Sequence, residues 1–287
     1  MLPQYLALEN INFTSIAIAS AFFAAIANIL ARTLLKNLRS QDFLGINFLT
    51  MGATLLLLSP IFYHFDASML SISLIILIAL IDSVANFFYF KTFEKTEASI
   101  ATPILSLAPA FTFLLGWLFL GDVVGIKTFL LATIIIILIL VISTDFQNFR
   151  TFRSSTLLPA LTASFLFGVS AIPAKYLLDT LHVINAPTLY MFRAGFIALF
   201  ALLFFGFSIQ HITTKQYRVI FVRGIFVIVQ WLLLYYALTR GSAGVAVTLG
   251  NITPVFVFFL SMLFLREKPT LKKLLASIFI LIFSLII

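Results

Sequence analysis

Residues 98–122 read ASIATPILSLAPAFTFLLGWLFLGD, and residues 243–267 read AGVAVTLGNITPVFVFFLSMLFLRE. The two stretches lie 145 positions apart in a chain of 287 residues and agree at nine of twenty-five positions. Pro109 matches Pro254, Phe111 matches Phe256, and Leu118-Phe119-Leu120 matches Leu263-Phe264-Leu265, and both stretches end on an acid, Asp122 and Glu267. At an offset of 143, Phe22 matches Phe165, Ala31 matches Ala174, Arg32 matches Lys175, and Leu34 and Leu35 match Leu177 and Leu178. A spacing of half the chain reads as an internal duplication. If each copy holds an odd number of membrane spans, the copies cross the bilayer in opposite senses, the architecture of an alternating-access carrier.

Composition fixes the environment. The chain is 62% hydrophobic and 10% charged, with a mean hydropathy of +1.16. A soluble domain carries about 25% charged residues, so this much apolar surface must face lipid or neighbouring helices. There is no cysteine, which excludes disulfides, thiolate nucleophiles and cysteine-held metals. The net charge of +8 is spread between apolar runs, which reads as a topology signal and argues against nucleic acid. The first residues, MLPQYLALEN, lack the basic start of a cleavable signal peptide.

A spanning helix needs about 20 mostly apolar residues. Ten segments satisfy this: Phe13 to Ala31, Phe43 to Tyr63, Leu70 to Phe90, Ala98 to Leu120, Val124 to Ser143, Leu157 to Leu177, Ala186 to Phe207, Val219 to Leu238, Gly244 to Leu265 and Leu271 to Ile287. The continuous apolar run of residues 131–141 argues for helices over the alternating strands of a membrane barrel. The predicted fold class is therefore all-α, a polytopic membrane protein of ten transmembrane helices arranged as two inverted five-helix repeats. Residues 1–145 form the first repeat, 155–287 the second, and 146–154 the linker, within the longest polar stretch at the midpoint of the chain.

The paired proline helices ending Leu-Phe-Leu-x-acid, with Phe167-Gly168, Arg193 and Tyr236-Ala237-Leu238-Thr239, resemble the drug/metabolite transporter superfamily, in particular its ten-helix EamA-type members. The resemblance covers nearly the whole chain. It implies inverted halves around a central cavity and export or uptake of a small metabolite such as an amino acid. Two departures stand out: the usual Gly-Glu is Gly121-Asp122 in one copy and Arg266-Glu267 in the other. The four-helix multidrug relatives carry an essential glutamate in their first helix. The first helix here has no acid, so their proton-coupling scheme is not carried over.

Ionisable groups at the centre of a membrane helix cost at least ~2.5 kcal/mol and face a cavity or a partner. Asp82 is the acid placed near the middle of a predicted span, with Asn86 one turn later. It reads either as a cation-binding or protonatable site or as half of a salt bridge. Arg193 is read as a carboxylate fork, as a partner of Asp82, or as a snorkelling anchor. Arg223 is expected to snorkel, and Arg32, Lys91 and Lys175 to anchor helix ends, with Lys175, which follows Pro173, alternatively reaching the cavity mouth. Asn28, Gln230 and Asn251 are polar groups at membrane depth that either touch substrate or tie helices together. Trp231, Tyr235 and Phe111 are candidate aromatic walls, against lipid-facing packing. Pro109 and Pro254 remove backbone hydrogen bonds and are expected to kink their helices, as hinges or as packing features.

The chain is thus expected to be a secondary transporter in the cell (inner) membrane, multi-pass and monomeric. Its expected partners are a small-molecule substrate, the lipid bilayer and a coupled proton or cation, with no cofactor, no metal and no nucleic acid. The alternative is an intramembrane enzyme on a lipid-soluble substrate. It lacks support because His64, His182 and His211 lie near loops and no paired acid motif is present. No ATP-binding loop is present either, so transport would run on gradients. The Lys and Arg bias places the loops after odd-numbered spans in the cytoplasm and both termini outside, whereas the resemblance implies both termini inside.

Overall fold

The computed structural model describes residues 12–95, 105, 107–143, 154–206, 208, 212–265 and 271–287. Within these the chain is helical: α1 Phe13–Leu35, α2 Ser40–Phe62, α3 Met69–Lys95, α4 Ala108–Leu120 and α5 Ile126–Ser143. Then come α6 Ser154–Lys175, continued by a π-helical turn Tyr176–Thr180, and α7 Ala186–Phe200, continued by a second π-helical turn Ala201–Phe205. α8 Thr214–Leu238, α9 Ala243–Gly250, α10 Thr253–Leu265 and α11 Leu271–Ile286 complete the order. The β-pairing among the described residues is one isolated antiparallel bridge, Phe65 to Ile184. The expected linker 146–154, apart from Ser154, and residues 98–104 of the expected fourth span lie outside the described residues, as does Glu267.

Among the described residues seven helices are long and apolar enough to cross a membrane, counting α9 and α10 together, and α4 and α5 are shorter apolar helices. Their outer faces stay apolar: Leu57, Ile61, Met69, Phe119 and Leu203 are exposed. That surface suits a hydrocarbon solvent, in which helices associate through close packing rather than through burial from water. α1 shows how. Ala17, Ala21, Ala24, Ala27 and Ala31 recur every three or four residues and are all buried, so this alanine face lets α8, its chief neighbour, approach. α2 packs mainly on α7, α3 on α6, α5 on α11, and α4 on α6 and α9. Gly52 makes the α2–α7 crossing close: a Cβ there would sit 3.1 Å from the backbone nitrogen of Gly195.

The ends are chemically fixed. Asn12 caps α1 through Thr14 N–H, and Asn185 caps α7 through Thr188 N–H while donating to the Phe62 carbonyl at the end of α2. Thr213 and Gln216 form a reciprocal capping box, which starts α8 at Thr214 rather than at the expected Val219. The polar first turn hides this start from a hydropathy reading.

The expected ninth span is not one helix. α9 ends at Gly250, Asn251 closes its last turn, and α10 begins at Thr253. Pro254 therefore sits in the first turn of a new helix, where its missing N–H costs nothing. Pro109 stands likewise at the start of α4. Both prolines begin helical segments, where the sequence reading expects a kink within one.

Candidate functional site

The deepest polar feature joins α3 to α7. Asp82 lies midway along α3, and the Arg193 Nε–H donates to its Oδ2. Both side chains are sealed, at 1% exposure each. The pair sits in an aromatic box built from two helices. The Arg193 guanidinium lies over the Trp231 ring at 3.6 Å and near the Tyr190 ring at 5.5 Å. Tyr190 and Trp231 are stacked at 6.2 Å, and Tyr235 meets Trp231 edge-on at 5.7 Å. Trp231 and Tyr235 are one turn apart on α8, and Tyr190 and Arg193 one turn apart on α7, so helical spacing presents each couple on a single face. Desolvated cation–π contact of this kind is worth about 2 kcal/mol.

The pair leaves chemistry unspent. Asp82 Oδ1 and both terminal nitrogens of Arg193, Nη1 and Nη2, are buried with no hydrogen-bond partner among the described residues. Ser170 and Tyr235 stand near enough to feel the two charges, yet neither completes these atoms in hydrogen-bond geometry. One acceptor and two donors are thus left unsatisfied in the box, in surroundings where unsatisfied polar atoms are costly.

The other expected site residues take different places. Asn86 donates to the Asp82 main-chain carbonyl at 2.8 Å, so it braces α3 beneath the acid. Asn28 accepts from the Tyr89 hydroxyl at 2.8 Å, which ties α1 to α3. Gln230 is half-buried on α8, where its main-chain carbonyl accepts from Ser20 at 2.9 Å. Asn251 donates to the Val247 carbonyl at 2.9 Å and caps α9 at the break before Pro254. Phe111 packs edge-on against Phe165 at 5.3 Å, apart from the box. Asp82, Arg193, Trp231 and Tyr235 therefore come together, and Asn86 supports them.

Arg223 corrects the sequence reading. It is buried rather than snorkelling, with its Nε donating to the Ala27 carbonyl at 3.1 Å and Nη1 to Asn47 Oδ1. Phe43 and Phe90 lie 5.0 and 5.5 Å from the guanidinium. The earlier start of α8 moves Arg223 a turn and more deeper into its helix than a start at Val219 implies. Tyr190, one turn before Arg193, was the other residue that spacing could have found. Lys175 also turns inward: its ammonium donates to Asp179 at 2.9 Å and to the carbonyls of Leu238 and Gly241 at 2.9 and 2.7 Å. It thereby closes the end of α8, a favourable place for a cation. Asp122 Oδ2 accepts from Ala243 N–H at 2.6 Å at the start of α9. Among the described residues, no group of three or more His, Cys, Asp or Glu could hold a metal ion.

The chain is similar to known proteins along most of its length. An uncharacterized transporter of Archaeoglobus fulgidus is 24% identical over 218 residues, 74% of this chain and 75% of that protein. An uncharacterized protein of Methanocaldococcus jannaschii is 39% identical over 61 residues, 21% of this chain and 44% of that protein. A solved crystal structure shares the fold with a TM-score of 0.74 and 15% identity, covering 95% of this chain and 94% of its own. The sequence pattern of the EamA-like transporter family matches residues 14–144 and again residues 154–287. Apolar helices long enough to cross a membrane and this match over nearly the whole sequence converge: the chain belongs to the EamA-like transporter family and is a multi-pass membrane transporter.

Proposed function

We propose that the protein is a secondary transporter that moves a small zwitterionic metabolite such as an amino acid across the cell (inner) membrane by alternating access. The observation that carries the substrate class is the unspent chemistry of the Asp82–Arg193 pair. An ammonium matches the free Asp82 Oδ1, and a carboxylate matches the two free Arg193 nitrogens. Trp231, Tyr235 and Tyr190 supply the walls of the box. A coupled proton or cation would be taken by Asp82.

The helix contacts support two inverted five-helix repeats, 1–145 and 155–287, joined by 146–154. If each helix is exchanged for its counterpart in the other half, the α1–α8 contact becomes α6–α3 and the α2–α7 contact becomes itself. The α4–α6 contact becomes the contact of α9 and α10 with α1, and α5–α11 becomes itself. A pattern that maps onto itself is what a two-fold relation between halves requires. On this reading the halves rock about the site, and the helix starts at Pro109 and Pro254 act as the bending points. Asn251, at one of these points, and Asn28 and Gln230 would meet the substrate as the halves move. Ten spans enclose a site within one chain, so the transporter works as a monomer.

The test is counterflow of radiolabelled amino acids in vesicles reconstituted with purified protein. Wild type is expected to concentrate label, and Asp82→Asn and Arg193→Ala to lose at least 90% of that uptake. Full activity in both variants would remove the ion pair from the transport cycle.

A further inference from the structure

Arg223 carries a charge that no acid among the described residues balances. The ion pairs among the described residues are Arg39–Asp42, His64–Asp66, Lys175–Asp179 and Arg193–Asp82. Arg223 belongs to none of them. Its partners are a carbonyl, an amide oxygen and two phenyl faces, all dipolar and none charged. Its Nη2 makes no hydrogen bond to a described residue. The sealed nitrogens without partners both belong to Arg193, and Arg223 keeps 4% of its surface exposed where Arg193 keeps none. The unused nitrogen of Arg223 is therefore not fully sealed in this conformation, whereas those of Arg193 are, and on the transport reading they meet substrate only once the halves move.

The surroundings are built to hold the guanidinium still. Asn47 on α2 and the Ala27 carbonyl on α1 fix two edges of the fork, and Phe43 and Phe90, themselves packed edge-on at 4.8 Å, cover it. The arrangement also answers the first pair. Asp82 on α3 meets Arg193 on α7; exchange of the halves carries α3 to α8 and α7 to α2, the helices of Arg223 and Asn47. The second place holds an amide where an acid would complete the charge. That correspondence rests on the repeat reading; the missing counter-charge does not.

We propose that Arg223 is a second, oxyanion-binding station, which takes a small carboxylate through its free guanidinium edge while Asn47 holds the fork in place. A guanidinium recognises a carboxylate by paired N–H donors, and does so most strongly away from water. The carboxylate can belong to the transported molecule or arrive as a separate small anion; both present the same two oxygens.

Equilibrium binding tests this without any flux, so it can fail while transport stands, or hold while transport fails. The full chain in lipid nanodiscs is melted against sodium acetate and against sodium phosphate, each compared with sodium chloride at matched ionic strength. Acetate is expected to raise the melting point saturably. Asn47→Asp supplies the absent acid in place, and is expected to raise the basal melting point and weaken acetate at least tenfold. Arg223→Gln is expected to weaken acetate at least tenfold as well. A saturable response to acetate supports the station, and a response to phosphate alone overturns it as a carboxylate site. No saturable response to either, or unchanged affinity in whichever of the two variants folds, would overturn the station.

Discussion

Two buried arginines sit on neighbouring faces of one bundle and are treated differently. Arg193 meets an acid and lies flat on Trp231; Arg223 meets an amide, a carbonyl and the faces of two phenylalanines. Both are buried, at 0% and 4% exposure, so the larger contrast lies in compensation. The acid closes the first fork into a neutral pair that links α3 to α7. The amide holds the second fork without neutralising it.

The sharpest way to break that contrast is to remove the acid's partner. Arg193→Ala leaves Asp82 buried and unpaired, and is expected to cost about 3–5 kcal/mol of stability in detergent unfolding. Replacing both partners with apolar residues of similar volume, Asp82→Leu with Arg193→Met, is expected to restore most of that loss, because no charge is then stranded. Equal losses in the single and double variants would mean that the two side chains are not coupled.

A smaller effect tests whether the two forks share a frame. α2 carries Asn47 and α7 carries Arg193, and these helices cross where Gly52 meets the backbone at Gly195. Gly52→Ala places a Cβ 3.1 Å from that backbone, and is expected to cost about 1–3 kcal/mol by overpacking. It should also alter both amino-acid and acetate binding, whereas a change in only one would show that the forks move independently. Asp122→Ala removes the acceptor for Ala243 N–H at the start of α9. Loss of such a cap is expected to cost about 0.5–2 kcal/mol, with acetate affinity unchanged.

The smallest effect concerns an arginine that is exposed. Arg39 pairs with Asp42 at 2.8 Å at the start of α2, and this bond raises its pKa above the usual arginine value. A raised value means the contribution is complete below the unfolded-state pKa and fades only as pH climbs through the folded one. Both lie above the working range, so Arg39→Gln should shift the melting point within error at every pH from 5 to about 9. A pH-dependent difference between the two proteins would contradict this assignment.

Much of this was legible in the residues, and the failures have physical causes. Apolar run length announced membrane helices and most of their centres. Asp82 and Arg193 stood out because charge at membrane depth is costly, and their pairing was one of the readings left open. Hydropathy does not register a capping box, so the Thr213–Gln216 start of α8 is invisible to it and Arg223 falls nearer the helix end than it is. The break after Gly250 was written in Gly250-Asn251-Ile252-Thr253-Pro254. Those residues signal a stop and a new start, but an unbroken apolar background made them look like a bend. Asn47 gave no warning: a lone amide on a long apolar helix becomes informative only when the guanidinium opposite is known.

The close approach at Gly52 sets the gearing between the two arginines. Helices in contact at a point roll about it as about a fulcrum. Asn47 lies five residues from Gly52 on one beam, and Arg193 two residues from Gly195 on the other. At a rise of about 1.5 Å per residue, the lever arms are about 7.5 and about 3 Å. A tilt of α2 about this crossing therefore swings Asn47 through more than twice the arc that an equal tilt of α7 gives Arg193, so the amide beside Arg223 is the more sensitive of the two to helix tilt.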